Sequence, residues 1–269
     1  MSYRHIQIET EGHIGWLWLN RPDKMNAFSP DLWEDLPRAA DELGDNPEVR
    51  VIVVAGRGRA FTVGIDLNML GDLAPRGGSP VAFRKALYGR LKELQQTFSA
   101  LQRSPVPVIA AVHGWCIGAG MDLITACDIR LAASDAVFSV RETRMAMVAD
   151  MGTLERLPNV VSAGHVAELV YTGKDIDAAR AEQMGLVNEV YPDSAALMEG
   201  ARAWASQIAS NSPLAVQGAK AVLSAEEGRS VTEALDYVAL WNTAFLESND
   251  LAEAMAAFME RRPPRFTGD

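Results

Sequence analysis

The chain has 269 residues, 48% of them hydrophobic and 22% charged, a composition typical of a globular protein long enough for one large α/β domain with or without an appendage. Its formal net charge of −10 at pH 7 argues against binding to nucleic acid or to anionic membranes, although a local basic patch is still able to hold an anionic ligand. No apolar run in the sequence reaches the length of a membrane span.

The start of the chain predicts a β-hairpin followed by a helix. Residues 5–19 alternate apolar and polar side chains about a central glycine, a pattern typical of a hairpin. Ser29 followed by Pro30 indicates a helix start, and an apolar stripe over 32–43 continues the helix. Pro37 lies within that stripe, so we expect a kink or a break there.

Strands and helices then alternate along the chain. Apolar runs and turn residues predict, in chain order, a buried parallel strand at 49–56, a Gly/Pro-rich loop at 71–80, a helix at 81–103, a strand at 105–112, a short helix at 121–126 and strands at 129–134 and 136–140. The recurrence of strand, helix and strand implies right-handed parallel crossovers in an α/β layer. Beyond residue 159 the sequence is rich in alanine and helical, which predicts a helical C-terminal extension.

Two glycine-containing turns follow buried strands. The turns are RAFTVGIDL at 59–67 and GWCIGAG at 114–120, and the second leads into a helix start. Free backbone N–H groups at such places stabilise negative charge, and two of these turns are able to meet at one oxygen atom. Tight packing is an equally good explanation of the glycines. Neither turn matches a dinucleotide-binding motif.

Three acidic residues lie between apolar residues within one strand-helix-strand unit: Asp122, Glu142 and Asp150. Any one of them alone is better explained as a helix cap or a solvated charge, and we interpret Asp128 as a structural cap. Together they favour proton transfer, because carboxyl groups near a water-poor pocket have raised or coupled pKa values. His113 has no partner nucleophile and is interpreted as a packing residue, and no histidine spacing indicates a metal site.

Six segments of the chain carry a resemblance to a known family. The segments are LNRPDKMNAF at 19–28, AFTVGIDL at 60–67, PVIAAVHGWCIGAGMDLITACDIRLAA at 107–133, FSVRE at 138–142, GTLERLP at 152–158 and GLVNEVYP at 185–192. The sequence resembles the enoyl-CoA hydratase/isomerase family, the crotonase fold, over essentially its whole length. The resemblance implies an α/β spiral of repeated ββα units over 1–195, a helical trimerisation region over 196–269, and a homotrimer or homohexamer.

The resemblance also implies acyl-CoA substrates and a set of binding residues. The thioester oxygen is expected to accept hydrogen bonds from the backbone N–H groups of Val63 and Ala119. Lys24, Gly64 and Asp66 are the expected contacts to coenzyme A, which is part of the substrate, so no separate cofactor or metal is expected. Cationic side chains are further candidates for the phosphates: Arg21, Arg59, Arg261, Arg262 and Arg265.

Within this family the acids distinguish the reactions. Hydratases resemble one another in having glutamate at positions 122 and 142 and glycine at 150, whereas this chain has Asp122, Glu142 and Asp150. The trio resembles the Δ3,5-Δ2,4-dienoyl-CoA isomerases, in which Asp150 would act at carbon 2 and Glu142 at carbon 6 while Asp122 lines the acyl pocket. Arg144 and Ala146 depart from that subgroup, a difference that bears on the preferred acyl chain.

Two alternatives to the isomerase stay open. One is a 2-enoyl-CoA hydratase, which glutamate at position 122 would have favoured. The other is a non-catalytic binding protein on the same fold, such as an RNA-binding one, against which the net charge argues. Cys116 and Cys127 indicate buried thiols in a reducing compartment, and the chain shows no leader and no peroxisomal C-terminus, so we expect a cytoplasmic protein.

Overall fold

The protein is described by a computed structural model over residues 3–71, 79–225, 228 and 230–269. The Gly/Pro-rich loop predicted at 71–80 lies mostly outside the described residues. None of the helices in the described ranges combines the length and the apolar character that crossing a membrane requires.

The strands form two sheets. In chain order the strands are β1 (Ile6–Glu11), β2 (Ile14–Leu19), β3 (Val51–Gly56), β4 (Val108–Val112), β5 (Trp115–Ile117), β6 (Ile129–Ala133), β7 (Val137–Ser139), β8 (Ile176–Asp177) and β9 (Glu189–Tyr191). The larger sheet has the order β1-β2-β3-β4-β6-β9, and the smaller has the order β5-β7-β8. The predicted hairpin is confirmed, since β1 and β2 pair antiparallel, while β2, β3, β4, β6 and β9 pair parallel.

Strands β3 and β4 are buried at every residue, as their continuous apolar runs predict for central parallel strands. β5 was not predicted. It is only three residues long and lies inside the second glycine-containing turn, where it pairs with β7 instead of continuing the larger sheet. The chain therefore leaves the larger sheet at the end of β4 and enters the smaller one within three residues.

The helices connect the strands and make up the C-terminal part of the chain. They are α1 (Pro30–Gly44), α2 (Pro80–Arg103), α3 (Ala119–Thr125), α4 (Thr153–Arg156), α5 (Ala163–Thr172), α6 (Ala178–Gln183), α7 (Ser194–Ala209), α8 (Pro213–Ala225), α9 (Val231–Phe245) and α10 (Asn249–Glu260). The predicted start of α1 is confirmed, because the Ser29 side chain accepts a hydrogen bond from the Leu32 N–H. The α/β class is likewise confirmed.

A kink or a break of α1 was expected at Pro37, and a break is excluded because the helix continues from Pro30 to Gly44. Proline lacks the N–H that would bond to the carbonyl four residues earlier, which is that of Trp33. The Thr97 hydroxyl of α2 donates to this carbonyl at 3.1 Å and replaces the missing bond. The packing of α2 against α1 thus supplies a hydrogen bond that offsets the one lost at Pro37.

The boundary expected between 195 and 196 falls inside α7. Leu197, Ala201 and Ala205 recur every four residues on this helix, are fully buried and pack against the larger sheet. α7 therefore belongs to the α/β layer, and the helices outside that layer begin with α8. On those helices large apolar side chains are exposed, among them Leu235 at 61% and Phe258 at 83%. The spiral of ββα units and the trimerisation region stay predictions.

Candidate active site

A cavity of about 660 Å³ lies where the turns after β3 and β5 meet. Seven of the residues predicted from the sequence line it: Arg21, Lys24, Val63, Gly64, Asp66, Ala119 and Glu142. The wall between them is largely apolar and includes Ile117 and Met147. A cavity with an apolar wall and a few converging polar groups has the character of a small-molecule site.

Gly64 allows the two turns to approach each other. Its φ is +88°, and a Cβ there would lie 2.8 Å from the Ile117 carbonyl oxygen. A larger residue would meet both backbone strain and a clash. The approach is also fixed by a single parallel β-bridge between Thr62 and Cys116.

The Val63 N–H is not a free donor at this cavity. It donates to the Met25 carbonyl at 3.2 Å, so the expectation that it holds the thioester oxygen needs correction. The N–H of Ile65, two residues after Val63, has a different orientation. Phe28 forms a parallel β-bridge with Ile65. In this bridge the Phe28 N–H donates to the Gly64 carbonyl at 2.8 Å, and the Phe28 carbonyl accepts from the Asp66 N–H at 3.1 Å.

In a parallel bridge of this kind the residue opposite turns its own N–H and C=O to the other side. The Ile65 N–H is therefore directed away from Phe28, and Ile65 lines the cavity. The N–H direction alternates along an extended segment, and it is the bridge to Phe28 that determines which residue directs its N–H to the cavity, so the expectation for Val63 is replaced by Ile65.

Ala119 is a second residue whose backbone N–H is a candidate donor at the cavity. It is the first residue of α3, where an N–H has no acceptor within the helix, and it lines the cavity. Gly118 before it has a φ of +55°, and the Gly118 N–H donates to the Ser139 carbonyl at 3.0 Å. The Ala119 N–H lies 3.4 Å from the position of a Cβ on Gly64, so the two turns bring the N–H groups of Ile65 and Ala119 to the same cavity.

Of Asp122, Glu142 and Asp150, Glu142 is the one that lines the cavity. It follows β7 and begins a short 3₁₀ helix, Glu142–Met145. Its Oε2 atom is buried and has no hydrogen-bond partner among the described residues. Burial raises the pKa of Glu142, and the charge of Asp150 raises it further. A carboxyl group in this setting holds a proton more readily than an ordinary glutamate does.

Asp150 lies outside the described lining of the cavity, at the surface of the chain. The Gln95 side chain of α2 donates to the Asp150 carbonyl oxygen at 2.7 Å and so fixes the backbone at this position. Although Asp150 is exposed as a residue, neighbouring atoms desolvate its carboxyl group enough to raise its pKa, and the charge of Glu155 adds to the effect.

Asp122 is buried in the core and does not line the cavity, contrary to the expectation for the acyl pocket. Its Oδ1 atom accepts from the Thr153 N–H at 2.7 Å and from the Thr153 hydroxyl at 2.6 Å. Asp122 on α3 thus caps the start of α4, three residues after Asp150. Burial, with a further contribution from the charge of Glu142, raises the pKa of Asp122 to about 7.

The three acids are electrostatically linked in the order Asp122, Glu142, Asp150. The charge of Glu142 raises the pKa of Asp122, and the charge of Asp150 raises that of Glu142. Like charges in a partly desolvated place favour the neutral form of at least one group. The arrangement therefore favours a retained proton on at least one of the three acids.

Cationic side chains also lie at the rim of the cavity. The Arg21 guanidinium is 2.8 Å from the Asp66 carboxylate, and its hydrogen bond lowers the pKa of Asp66. Lys24 is exposed at the same rim. Arg141, which the sequence reading did not single out, also lines the cavity and pairs with Asp175. The other arginines considered for the phosphates are outside the described lining: Arg59, Arg261, Arg262 and Arg265.

Two structural interpretations are confirmed. The His113 ring is buried and its Nε2 atom is 2.9 Å from the Gly58 carbonyl oxygen. Asp128 accepts from the Val108 N–H at 2.7 Å and pairs with Lys220 at 2.8 Å. Within the part of the chain that the structure describes, no group of three or more histidine, cysteine, aspartate or glutamate residues is placed to hold a metal ion.

Comparisons with known proteins show the family of the chain. The model of the family described as enoyl-CoA hydratase/isomerase matches residues 9–269. A peroxisomal Δ(3,5)-Δ(2,4)-dienoyl-CoA isomerase of Arabidopsis thaliana is 42% identical over 98% of each chain. A probable enoyl-CoA hydratase of Mycobacterium bovis is 34% identical over 99% of each chain.

Among solved structures, a putative enoyl-CoA hydratase from Streptomyces coelicolor is 33% identical and has a TM-score of 0.91, with 100% of this chain and 96% of that one covered. The similarity extends over the whole site, from the turn at Lys24 to the acids. The chain is an enzyme of the enoyl-CoA hydratase/isomerase family.

Proposed function

We propose that this enzyme converts 3,5-dienoyl-CoA to 2,4-dienoyl-CoA. The observation that carries the proposal is the set of acids, in which Glu142 faces the cavity with an unpartnered oxygen and Asp150 occupies the position at which the resemblance implies glycine in hydratases. The greater identity to the Arabidopsis isomerase than to the Mycobacterium hydratase supports the same choice.

The reaction moves two double bonds and needs two proton transfers. A proton leaves carbon 2, the electron pairs shift along the diene, and a proton arrives at carbon 6. Two acid/base groups at opposite ends of the diene perform this shift. Asp150 takes the proton from carbon 2 and Glu142 delivers the proton to carbon 6.

The environments of the two acids fit these roles. Glu142 is the more buried of the two, and burial favours its neutral form, which suits the proton donor, whereas Asp150 is exposed and able to exchange its proton with water, which suits the base. After one turnover the two protonation states are reversed, and exchange with water restores them. Asp122 holds the segment that carries Asp150 through its two hydrogen bonds to Thr153.

Negative charge collects on the thioester oxygen when carbon 2 loses its proton. Preorganised N–H donors lower the barrier by stabilising that charge. We assign this role to the N–H groups of Ile65 and Ala119, in place of the pair expected from the sequence. Coenzyme A then extends along the rim of Lys24, Gly64 and Asp66, where Arg21 and Arg141 offer further positive charge.

The reaction needs no cofactor beyond the coenzyme A of its substrate, because every step is a proton transfer. The exposed apolar side chains of α9 and α10 support a homotrimer or homohexamer with these helices at the interface. A cytoplasmic location stays a prediction based on two buried free cysteines, whereas the Arabidopsis relative carries a peroxisomal name.

The alternatives make different demands on this site. A 2-enoyl-CoA hydratase needs two carboxylates to hold a water molecule, and the charge of Asp150 would disturb that water. A non-catalytic binding protein needs no acids with raised pKa values at the cavity. The experiment is to give the purified protein a 3,5-dienoyl-CoA and a 2-enoyl-CoA separately. Faster turnover of the dienoyl-CoA supports the proposal, and hydration of the enoyl-CoA alone refutes it.

A further inference from the structure

We propose that Thr62 is a positioning residue that sets the distance between the two N–H donors for the thioester oxygen. This inference depends on the proposed function in one respect, the assignment of the N–H groups of Ile65 and Ala119 as those donors. Thr62 is completely buried and lies in the turn after β3, three residues before Ile65. Thr62 is itself not among the residues that line the cavity.

The Thr62 hydroxyl orients the turn that carries Ile65. It donates to the Asn26 carbonyl at 2.7 Å and accepts from the Gly64 N–H at 3.2 Å. The Gly64 carbonyl is held in turn by the Phe28 N–H at 2.8 Å. Phe28 thus fixes the oxygen of the peptide group between Gly64 and Ile65, and Thr62 fixes the preceding N–H, that of Gly64. The N–H of Ile65 then points to the cavity.

The remaining atoms of Thr62 contact the turn that carries Ala119. Its N–H donates to the Trp115 carbonyl at 2.9 Å, and its carbonyl accepts from the Ile117 N–H at 3.2 Å. Its methyl group packs against Gly120, where an added Cβ would lie 2.8 Å from the Thr62 Cγ2 atom. One residue therefore contacts both donor segments, by its hydroxyl on one side and by its methyl group and backbone on the other.

Threonine is suited to this place because it has both groups on one carbon. Valine has the same shape but leaves the Asn26 carbonyl and the Gly64 N–H without their bonds, so the Ile65 side of the site is loosened. Serine keeps the hydroxyl and loses only the methyl contact with Gly120. A small shift of a donor weakens catalysis strongly, because the oxygen bears most charge in the transition state.

The first test compares Thr62→Val with Thr97→Val. Thr97 is the matched control, a buried threonine whose hydroxyl donates to the Trp33 carbonyl between α1 and α2. We expect Thr62→Val to lower kcat about 10- to 100-fold with KM changed less than about threefold, and Thr62→Ser to stay within about threefold of wild type. Thr97→Val should keep wild-type kcat.

A second readout is independent of the reaction. Hexanoyl-CoA labelled with ¹³C at its thioester carbonyl binds without reacting, and infrared difference spectra report how strongly the carbonyl is polarised. Wild type should shift the carbonyl band to lower frequency than in water, and Thr62→Val should lose a large part of that shift. Thr62→Ser and Thr97→Val should retain it, because neither removes the Thr62 hydroxyl.

A third comparison keeps the proposal testable if Thr62→Val does not fold. Gly120→Ala presses a methyl group against Thr62, whereas Gly164→Ala, also at the second position of a helix, meets no atom within 4 Å. Gly120→Ala should reduce both kcat and the carbonyl shift, and Gly164→Ala should reduce neither. The proposal is overturned if folded Thr62→Val or Gly120→Ala matches its control in both readouts. A wild type that shifts the carbonyl band but does not isomerise refutes the proposed function and leaves this test intact.

Discussion

Replacing Asp122 with asparagine is expected to remove a pH-dependent loss of stability. Burial raises the pKa of Asp122 from 3.8 to about 7, so ionising it in the folded state costs free energy that the unfolded state does not lose. The carboxamide oxygen of Asn is still able to accept both Thr153 hydrogen bonds. At about 1.4 kcal/mol per pKa unit, the cost in the fully ionised wild type is about 4 kcal/mol.

The sign follows from the direction of the shift. Below about pH 4 the acid is protonated in both states, and the wild type has its full stability. As the pH rises from about 4 to about 7 the unfolded state ionises first, so stability falls, and above about pH 7 the loss is complete. The asparagine variant has no such loss because it does not ionise.

Urea unfolding of wild type and Asp122→Asn, at equal protein concentration and at pH 5 and pH 8, measures the effect. Subtracting the free energy of unfolding of wild type from that of the variant at each pH cancels the contributions of the other titrating groups. The difference in free energy of unfolding, variant minus wild type, should be about 2–3 kcal/mol larger at pH 8 than at pH 5. Parallel pH dependence of the two proteins would show that Asp122 is not a desolvated acid, and the reasoning from burial would fail.

Three further predictions concern activity and assembly. Glu142→Gln and Asp150→Asn should each lower the isomerisation rate roughly 10²–10⁴-fold in steady-state assays. Asp122→Asn should lower the rate less, because Asp122 positions a segment and does not transfer a proton. Equal losses of rate in all three variants would contradict these roles. Lys24→Gln should raise KM for acyl-CoA severalfold with kcat unchanged, more so at low ionic strength, and an unchanged KM would remove Lys24 from the coenzyme site. Light scattering at micromolar concentration should show a trimer or a hexamer, and a monomer would refute the interface inferred from α9 and α10.

The elements that sequence patterns predicted are those whose local signal agrees with their tertiary setting. The hairpin of β1 and β2 forms where the sequence alternates about a glycine, and β3 and β4 are apolar and buried throughout. The short strand β5 has no such signal, because three residues between glycines are assigned to a sheet only by their partner β7. The continuity of α1 through Pro37 depends on Thr97, which is 60 residues away in the chain.

The candidate site was predictable in its residue types and less so in its geometry. The acids and the two glycine-containing turns were recognisable from sequence, and Ala119 and Glu142 do line the cavity. Whether Val63 or Ile65 offers its N–H depends on a bridge to Phe28, which no local pattern encodes. The burial of Asp122 against Thr153 likewise depends on how α3 meets α4.

The central claim is a shuttle in which separate acids serve the two ends of the diene. It is tested most directly by turnover of a 3,5-dienoyl-CoA in heavy water, with the product analysed by nuclear magnetic resonance. The account predicts a 2,4-dienoyl-CoA with one solvent deuterium at carbon 6, because the proton that Glu142 delivers there comes from solvent and not from carbon 2. A product whose carbon 6 hydrogen comes from carbon 2, or the absence of any dienoyl product, would contradict it.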